Sequence, residues 1–478
     1  MARCLRVPYR KLFMLVVLLY GLLLGALLFA WKSYGTVPLR DFLIDGHAVV
    51  KVGNLVQKVR VAVQSGIINI AQPEVQRECD IKHKISFMNR TIIINQDPVC
   101  GWLKAARVES QGQFVNFGSL FARLHNVIID PSLGVGRKGG ESISSVLNQR
   151  EEEEYLNLKK GYFSLNCDTP PGLGFGGRDH LLNWNNAVSC EKDRTETKRV
   201  KGMTLAVMRY EYVNLYHTMT DYYNAFLMML VFDQHPDNMT VLWVDAHPQG
   251  GLDETWNVLF GETKRAGLLE APTQFDDMVW GIMGYNSPLN FHYTPFVPYL
   301  ELFREFFLSR HKVKTSKQLH CHKLNVMFIW RRDYVAHPRN PKGLLKRKIT
   351  NEDEIIANLN TILPGHKVTG VQLDMLPMKQ QLELIANTDI LLGMHGAGMS
   401  HTLFLPKHAG VLEFYPIYWS QANQHFRAMA SWRGLPYQTW QNYDGPHEKE
   451  NYFTYIPPKT VNQMLLEVKG QICPPSSG

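Results

Sequence analysis

Four polar residues spaced by three, four and three positions, Asn214, His217, Asp221 and Asn224, form the first group in the chain able to do chemistry. At about 100° per residue they fall on one face of a helix, with Leu215, Met219, Tyr222 and Phe226 roughly opposite. A carboxylate and an imidazole one turn apart suit general-base work: Asp221 takes a proton from a hydroxyl and His217 supports it, with Asn214 and Asn224 beside them. A solvated face, or a cluster satisfied by its own hydrogen bonds, has the same spacing. Spacing alone does not choose.

The second group is the run from Asp389 to His401, a strand entering a turn that carries Gly393, Gly396 and Gly398. Glycines there let the backbone at Gly396, Ala397 and Gly398 approach a phosphate and aim amides at it, and His395 adds a donor. The spacing is not that of a dinucleotide fingerprint. A turn required only sterically is the alternative. The third group, Trp330 to Arg339, follows a strand-like run, so Arg331 is placed to clamp a diphosphate, although such a run is also an ordinary basic surface. Glu413, at the end of Val411–Phe414, suits ribose hydroxyls. Asp245 lies two residues before His247; one carboxylate and one imidazole are too few for a metal, so none is expected and Asp245 joins the acceptor-side candidates.

The elements that must position these groups alternate. Strands are expected at Thr204–Met208 and Thr240–Val244, with helices from Tyr212 to about Phe232 and from Leu252 to Phe260. The rhythm then repeats: strand Leu324–Ile329, a helix opened by Thr350 and Asp353 as a capping box, strand Val368–Leu373, helix Met378–Asn387, strand Asp389–Leu392, strand Val411–Phe414 and helix Asn423–Trp432. Alternation of this kind implies parallel sheets, here two doubly wound α/β units in tandem, with ligands at the carboxyl ends of the strands. From about 76 to 200 the strand-like runs are short, and Gly172–Gly177 reads as a flexible loop.

Leu12 to Trp31 is twenty residues without a charge, enough to span a bilayer, and Arg3, Arg6, Arg10 and Lys11 precede it. The expectation is a cytosolic tail over 1–11, an uncleaved signal anchor over 12–31, a stem over 32–75, and lumenal domains over 76–318 and 319–478. Trp31 and Lys32 argue against a signal-peptidase site. Of seven cysteines, six follow the anchor, and proximity suggests Cys79 with Cys100 and Cys167 with Cys190. Asn89 and Asn238 open glycosylation triplets. The net charge of +8 is scattered and not interleaved with aromatics, which excludes a nucleic-acid surface and leaves room for an anionic small ligand.

Several blocks in order, Arg209 to Asp221 with Tyr222-Tyr223, Val244–His247, Leu252–Asn257, Arg331–Arg339, Met375–Gln380 and Gly393–Gly398, resemble glycosyltransferase family 61, and within it the N-glycan β-1,2-xylosyltransferases. The resemblance spans roughly 200 to 440. It implies a GT-B-like fold of two Rossmann-like domains and inverting transfer from a uridine-diphosphate sugar, with no divalent metal required. Asp221 matches the family's proposed base, Arg331 an arginine at the donor diphosphate, and His395, Gly396 and Gly398 the glycine loop. The implied reaction is xylose transfer from UDP-xylose to O2 of the core β-mannose of N-glycans, by a single-pass type II Golgi membrane protein. The order Trp330-Arg331-Arg332 departs from the plant pattern, and Leu403–Pro406 looks more like the family's protein O-linked N-acetylglucosaminyltransferases. The alternatives are therefore transfer of N-acetylglucosamine to Ser or Thr, and a non-catalytic glycan-binding protein of the same fold.

Overall fold

The computed structural model describes residues 120–171, 180–192, 198–449 and 452–474, together with strands at 84–87 and 90–93 and the segment 108–117. The tail, anchor and stem, Asn89, the Cys79–Cys100 pair and Gly172–Gly177 lie outside these residues. Among the described residues no helix is long and apolar enough to cross a membrane.

The first sheet is built on strands β1 (Val108–Gln111), β2 (Phe114–Phe117), β3 (Phe121–Ile129), β4 (Phe163–Leu165), β5 (Val188–Cys190), β6 (Lys198–Val207), β7 (Thr240–Trp243), β8 (Glu262–Arg265) and β9 (Thr273–Trp280). Its order is β8-β7-β6-β9-β3-β2-β1, with β4 paired to β3 and β5 to β4. Only β8, β7, β6 and β9 form a continuous parallel set; β9 meets β3 antiparallel, and β2 and β1 continue in that sense. This sheet is thus mixed, a correction to the purely parallel expectation. Its parallel part has the order 3-2-1-4 of a Rossmann half. Met203–Val207 is buried throughout, which is why this part reads as a continuous apolar run. Gly202, at φ 78°, takes up the register shift between Val200 and Met203.

The second sheet contains β10 (Asn325–Ile329), β11 (Lys367–Val371), β12 (Ile390–Met394), β13 (Gly410–Tyr415) and β14 (Tyr437–Gln441), ordered β11-β10-β12-β13-β14. All four pairings are parallel. The order 2-1-3-4-5 puts its topological switch point between β10 and β12.

The helices are α1 (His180–Asn186), α2 (Leu215–Val231), α3 (Asp253–Leu259), α4 (Leu300–Arg310), α5 (Glu352–Ile362), α6 (Met378–Ala386), α7 (His425–Trp432) and α8 (Pro458–Ile472). Helix α2 starts at Leu215 and not at Tyr212, because Asn214 is its N-cap: Asn214 Oδ1 accepts from Tyr216 N at 3.1 Å. Helix α5 lacks the expected capping box. Asn351 is its N-cap residue, and Asn351 Oδ1 is instead spent on Ile456 N at 3.1 Å.

Every residue of α2 is buried except His217. The helix packs on the first sheet and on α4, where Phe226 lies 5.4 Å from Phe303 and 5.3 Å from Phe306 between ring centroids. Helix α4 in turn reaches the second half through Phe307 against Phe404, at 4.7 Å. The two sheets thereby share one apolar core. Cys167–Cys190 forms a disulfide as proximity suggested, and Cys321 pairs with Cys473, which brackets the second sheet.

Under the end of β6, Arg209 and Asp245 are both fully buried. Arg209 Nε and Nη2 donate to the two Asp245 oxygens at 2.9 and 2.7 Å, and Nη1 donates to Asp253 Oδ1 at 2.7 Å. The guanidinium also lies 4.0 Å from the Trp243 ring centroid. Burial by itself would raise the Asp245 carboxyl, but the Arg209 charge outweighs it and holds the group at about 2. This pair supports stability above the ordinary aspartate range, and that support is lost as pH falls through about 2. Asp245→Ala leaves a buried guanidinium short of a partner and is expected to cost about 3–5 kcal/mol. Urea unfolding followed by tryptophan fluorescence measures it.

Candidate functional site

The carboxyl ends of both parallel sets face one another across a cleft. A cavity of about 340 Å³ lies there, lined by Asn214 and Leu215 at the start of α2, by Arg331 and Arg347 after β10, and by Ala397, Gly398 and His401 after β12. Its second-sheet wall is the β10–β12 switch point, where open α/β sheets take ligands. A larger open groove of about 930 Å³ runs along the edge of the first sheet. Its charges neutralise one another, as in Lys198–Glu270 and Arg265–Asp253, so it makes no comparable demand for a ligand.

Arg331 leaves the end of β10 and lies across Gly396, so close that a β-carbon on that glycine would collide with Nη1. Its Nε donates to Lys346 O at 3.3 Å. Burial, and then the neighbouring Arg347, bring the Arg331 guanidinium down to about 10, which leaves it charged at neutral pH. Arg347 donates from Nη1 to His395 O at 2.8 Å and stands 5.1 Å from the Trp419 ring. Among the described residues neither arginine has a carboxylate at ion-pair distance. Asp374 on the same cavity acts on Arg331, and Glu413 on Arg347, only from beyond ion-pair distance, so two adjacent half-buried cations remain open to an anionic ligand. A 3-10 helix begins at Ala397, and Ala397 and Gly398, at its start, line the same cavity.

His395 sits behind this pair. Its Nδ1 lies 2.5 Å from Glu413 Oε1, its ring stacks on Tyr415 at 4.7 Å, and Tyr437 donates to Glu413 Oε2 at 2.5 Å. Glu413 is therefore fully buried with both oxygens engaged, a correction to its expected role at ribose: it orients His395. Asp245 likewise departs from the acceptor side, being committed to Arg209. His247, its expected neighbour, contacts Arg209 O through Nε2 at 2.9 Å and lies 3.3 Å from Glu154.

The polar stripe of α2 does not face solvent. It runs from the cleft into the core: Asn214 caps the helix at the cavity, His217 is partly buried, and Asp221 and Asn224 are each 3% exposed. Asn224 Nδ2 reaches Ile282 O at 3.4 Å. Asp221 lies under the segment that follows β9, where a β-carbon on Gly284 would come 3.1 Å from Oδ1. Its Oδ2 has no hydrogen-bond partner among the described residues. Burial raises its carboxyl well above the ordinary range; Arg209 pulls the other way without offsetting this, and Asp245 adds to it. Burial also lowers His217, so the imidazole is neutral near pH 7 and able to accept a proton. Asn238 stands exposed in the turn before β7, at the strand end away from the cleft.

Two residues at the cavity were not singled out by the sequence. Arg347 is buried in the basic run Lys346-Arg347-Lys348, and its signal is structural: a φ of 63°, which costs a non-glycine residue about 1 kcal/mol or more. His401 ends the glycine-rich run. Burial pushes its imidazole to about 4, and its Nε2 has no hydrogen-bond partner among the described residues.

Residues 215–412 match the family model described as Glycosyltransferase 61. The β-1,2-xylosyltransferase of Oryza sativa subsp. japonica is 27% identical over 383 residues, covering 70% of this chain and 69% of that protein. The β-1,2-xylosyltransferase of Arabidopsis thaliana is 26% identical over 386 residues, covering 65% and 72%. The EGF domain-specific O-linked N-acetylglucosamine transferase of Drosophila melanogaster is 28% identical over 248 residues, covering 48% of this chain and 44% of that protein.

Proposed function

Taking the chain as a glycosyltransferase of the family 61 type, we propose that it transfers xylose from UDP-xylose to O2 of the core β-mannose of N-glycans, with inversion. The carrying observation is the pair of arginines at the β10–β12 switch point, neither in a direct ion pair among the described residues, which suits a nucleoside diphosphate leaving group. Similarity over some 70% of the chain to a β-1,2-xylosyltransferase supports the choice of sugar. In this reading the two sheets are the acceptor and donor domains of a GT-B-like enzyme, the chain is a type II Golgi protein held by residues 12–31, and no divalent metal is required.

The chemistry is a single displacement. The acceptor oxygen attacks the anomeric carbon as the bond to the diphosphate breaks, and the acceptor proton passes to a base on α2. His217 is the one side chain of α2 that is not buried, so in this reading it takes that proton, and Asp221 stands one turn behind it in the core. Arg331 and Arg347, with the amides after Gly396, hold the charge that develops on the departing diphosphate. His395, fixed by Glu413, adds a donor to the same wall.

Purified full-length protein offered UDP-xylose and UDP-N-acetylglucosamine, each with a free N-glycan core and with a folded EGF-like domain, decides the substrate. Xylose incorporation into the glycan is the expected result. Incorporation of N-acetylglucosamine alone, into the protein acceptor, would instead establish the O-linked reading suggested by Leu403–Pro406.

A further inference from the structure

The first sheet has a switch point of its own, between β6 and β9, and nothing in the donor site accounts for what gathers there. Tyr210 follows β6 and Tyr285 follows β9, at 38% and 47% exposure. Their ring centroids are 4.6 Å apart with planes at 66°. His217 lies 5.4 Å from the first and 5.9 Å from the second. The one unburied side chain of α2 is thus walled by two open tyrosine rings, in the crevice where a parallel set presents a ligand.

Polar groups around the rings have the complementary character. The charges of Glu211 and Glu151 act on Tyr285. Tyr155 donates to Tyr210 O at 3.3 Å. Glu211 lies on the cavity wall: its Oε2 accepts from Arg339 Nη2 at 3.4 Å, while its Oε1, 3.6 Å from His337 Nε2, has no hydrogen bond among the described residues. That oxygen has a lone pair to offer a ligand donor. Farther along the segment after β9, Phe291, Tyr293 and Phe296 are exposed by 45%, 74% and 61%.

A pyranose ring matches this surface. Its face of C–H groups is weakly electropositive and packs on the negative face of an aromatic ring, while hydroxyls around its edge donate to carboxylates. We propose that Tyr210 and Tyr285 wall a saccharide subsite that seats the acceptor sugar of a glycan against His217, with Glu211 accepting from one of its hydroxyls. The inference rests on the proposed function and deepens it: the acceptor is recognised as carbohydrate and not as polypeptide.

The test separates this subsite from the donor assignment by measuring glycan binding without turnover. The free mannose-containing core oligosaccharide of N-glycans is titrated into the full chain and into Tyr210→Ala, Tyr285→Ala and the matching Phe variants, with UDP binding measured in parallel. Each alanine is expected to raise the glycan Kd and the acceptor KM about tenfold, with the Phe variants within about threefold and UDP affinity retained. Unchanged glycan binding in both alanine variants overturns the proposal. So does a wild-type chain that binds no free glycan, or one that binds an EGF-like domain through Tyr210. If glycan binding falls as expected but wild type transfers no xylose, the subsite stands and the donor assignment fails.

Discussion

His217→Asn is expected to lower kcat by about 10²–10³-fold while leaving UDP binding intact, because it removes the one unburied side chain of α2, an imidazole able to take a proton. The sign of the pH dependence follows from burial. Burial disfavours the imidazolium, so His217 titrates below the ordinary histidine value near 6.5. The neutral form is the active one. Wild-type kcat should therefore be flat around pH 7 and fall as pH drops through the depressed histidine value, and this acid limb should vanish in His217→Asn. Asp221→Asn is the discriminating companion. Asp221 is buried in the core, burial raises its carboxyl, and an amide replaces it with little change of shape. It should keep activity within about tenfold and keep the acid limb. The reverse pattern, Asp221→Asn inactive but folded and His217→Asn active, would make Asp221 the base.

Arg331→Ala is expected to reduce kcat/KM by about 10²–10³-fold through both donor affinity and leaving-group stabilisation. Arg331→Lys should recover little, since a point charge does not reproduce a planar fork between two phosphate oxygens. Gly396→Ala reaches the same group without touching its charge, because the added β-carbon would occupy the place of Arg331 Nη1 and force the guanidinium aside. An intermediate loss is expected there, read mainly in donor KM. Steady-state kinetics over varied donor, with circular dichroism to confirm folding, settles both. A wild-type donor KM in Arg331→Ala would remove the diphosphate from this crevice.

Much of the second sheet was legible because buried parallel strands such as Val326–Ile329 and Ile390–Leu392 appear as uninterrupted apolar runs. The antiparallel flank was not. In β9 the run Asp276-Asp277 imitates a loop, and only the fold supplies Arg199 for Asp276 and Arg123 for Asp277. In β3, Asn126 takes a φ of 51° and breaks the alternation. The site divides in the same way. The α2 stripe was visible from periodicity, but which of its members meets the cleft depends on the segment after β9 lying over Asp221, and no local pattern encodes that. The burial of Glu413 and Asp245 was equally hidden, since Tyr437 and Arg209 reach them from 24 and 36 residues away. Tyr210 and Tyr285 come together only because β9 is laid beside β6.

The Cys321–Cys473 bond joins positions 152 residues apart, and the whole second sheet hangs between them. Donor-side residues from Arg331 to Glu413 therefore belong to a covalent ring. In an unfolded chain this ring removes more loop entropy than any short bridge, about 4–5 kcal/mol on a chain-entropy account. It also alters the meaning of damage. A protease that cuts the exposed stretch around Lys342 and Leu344 severs the backbone without releasing a fragment, so a nicked molecule keeps its size and both cut ends until the bond is reduced.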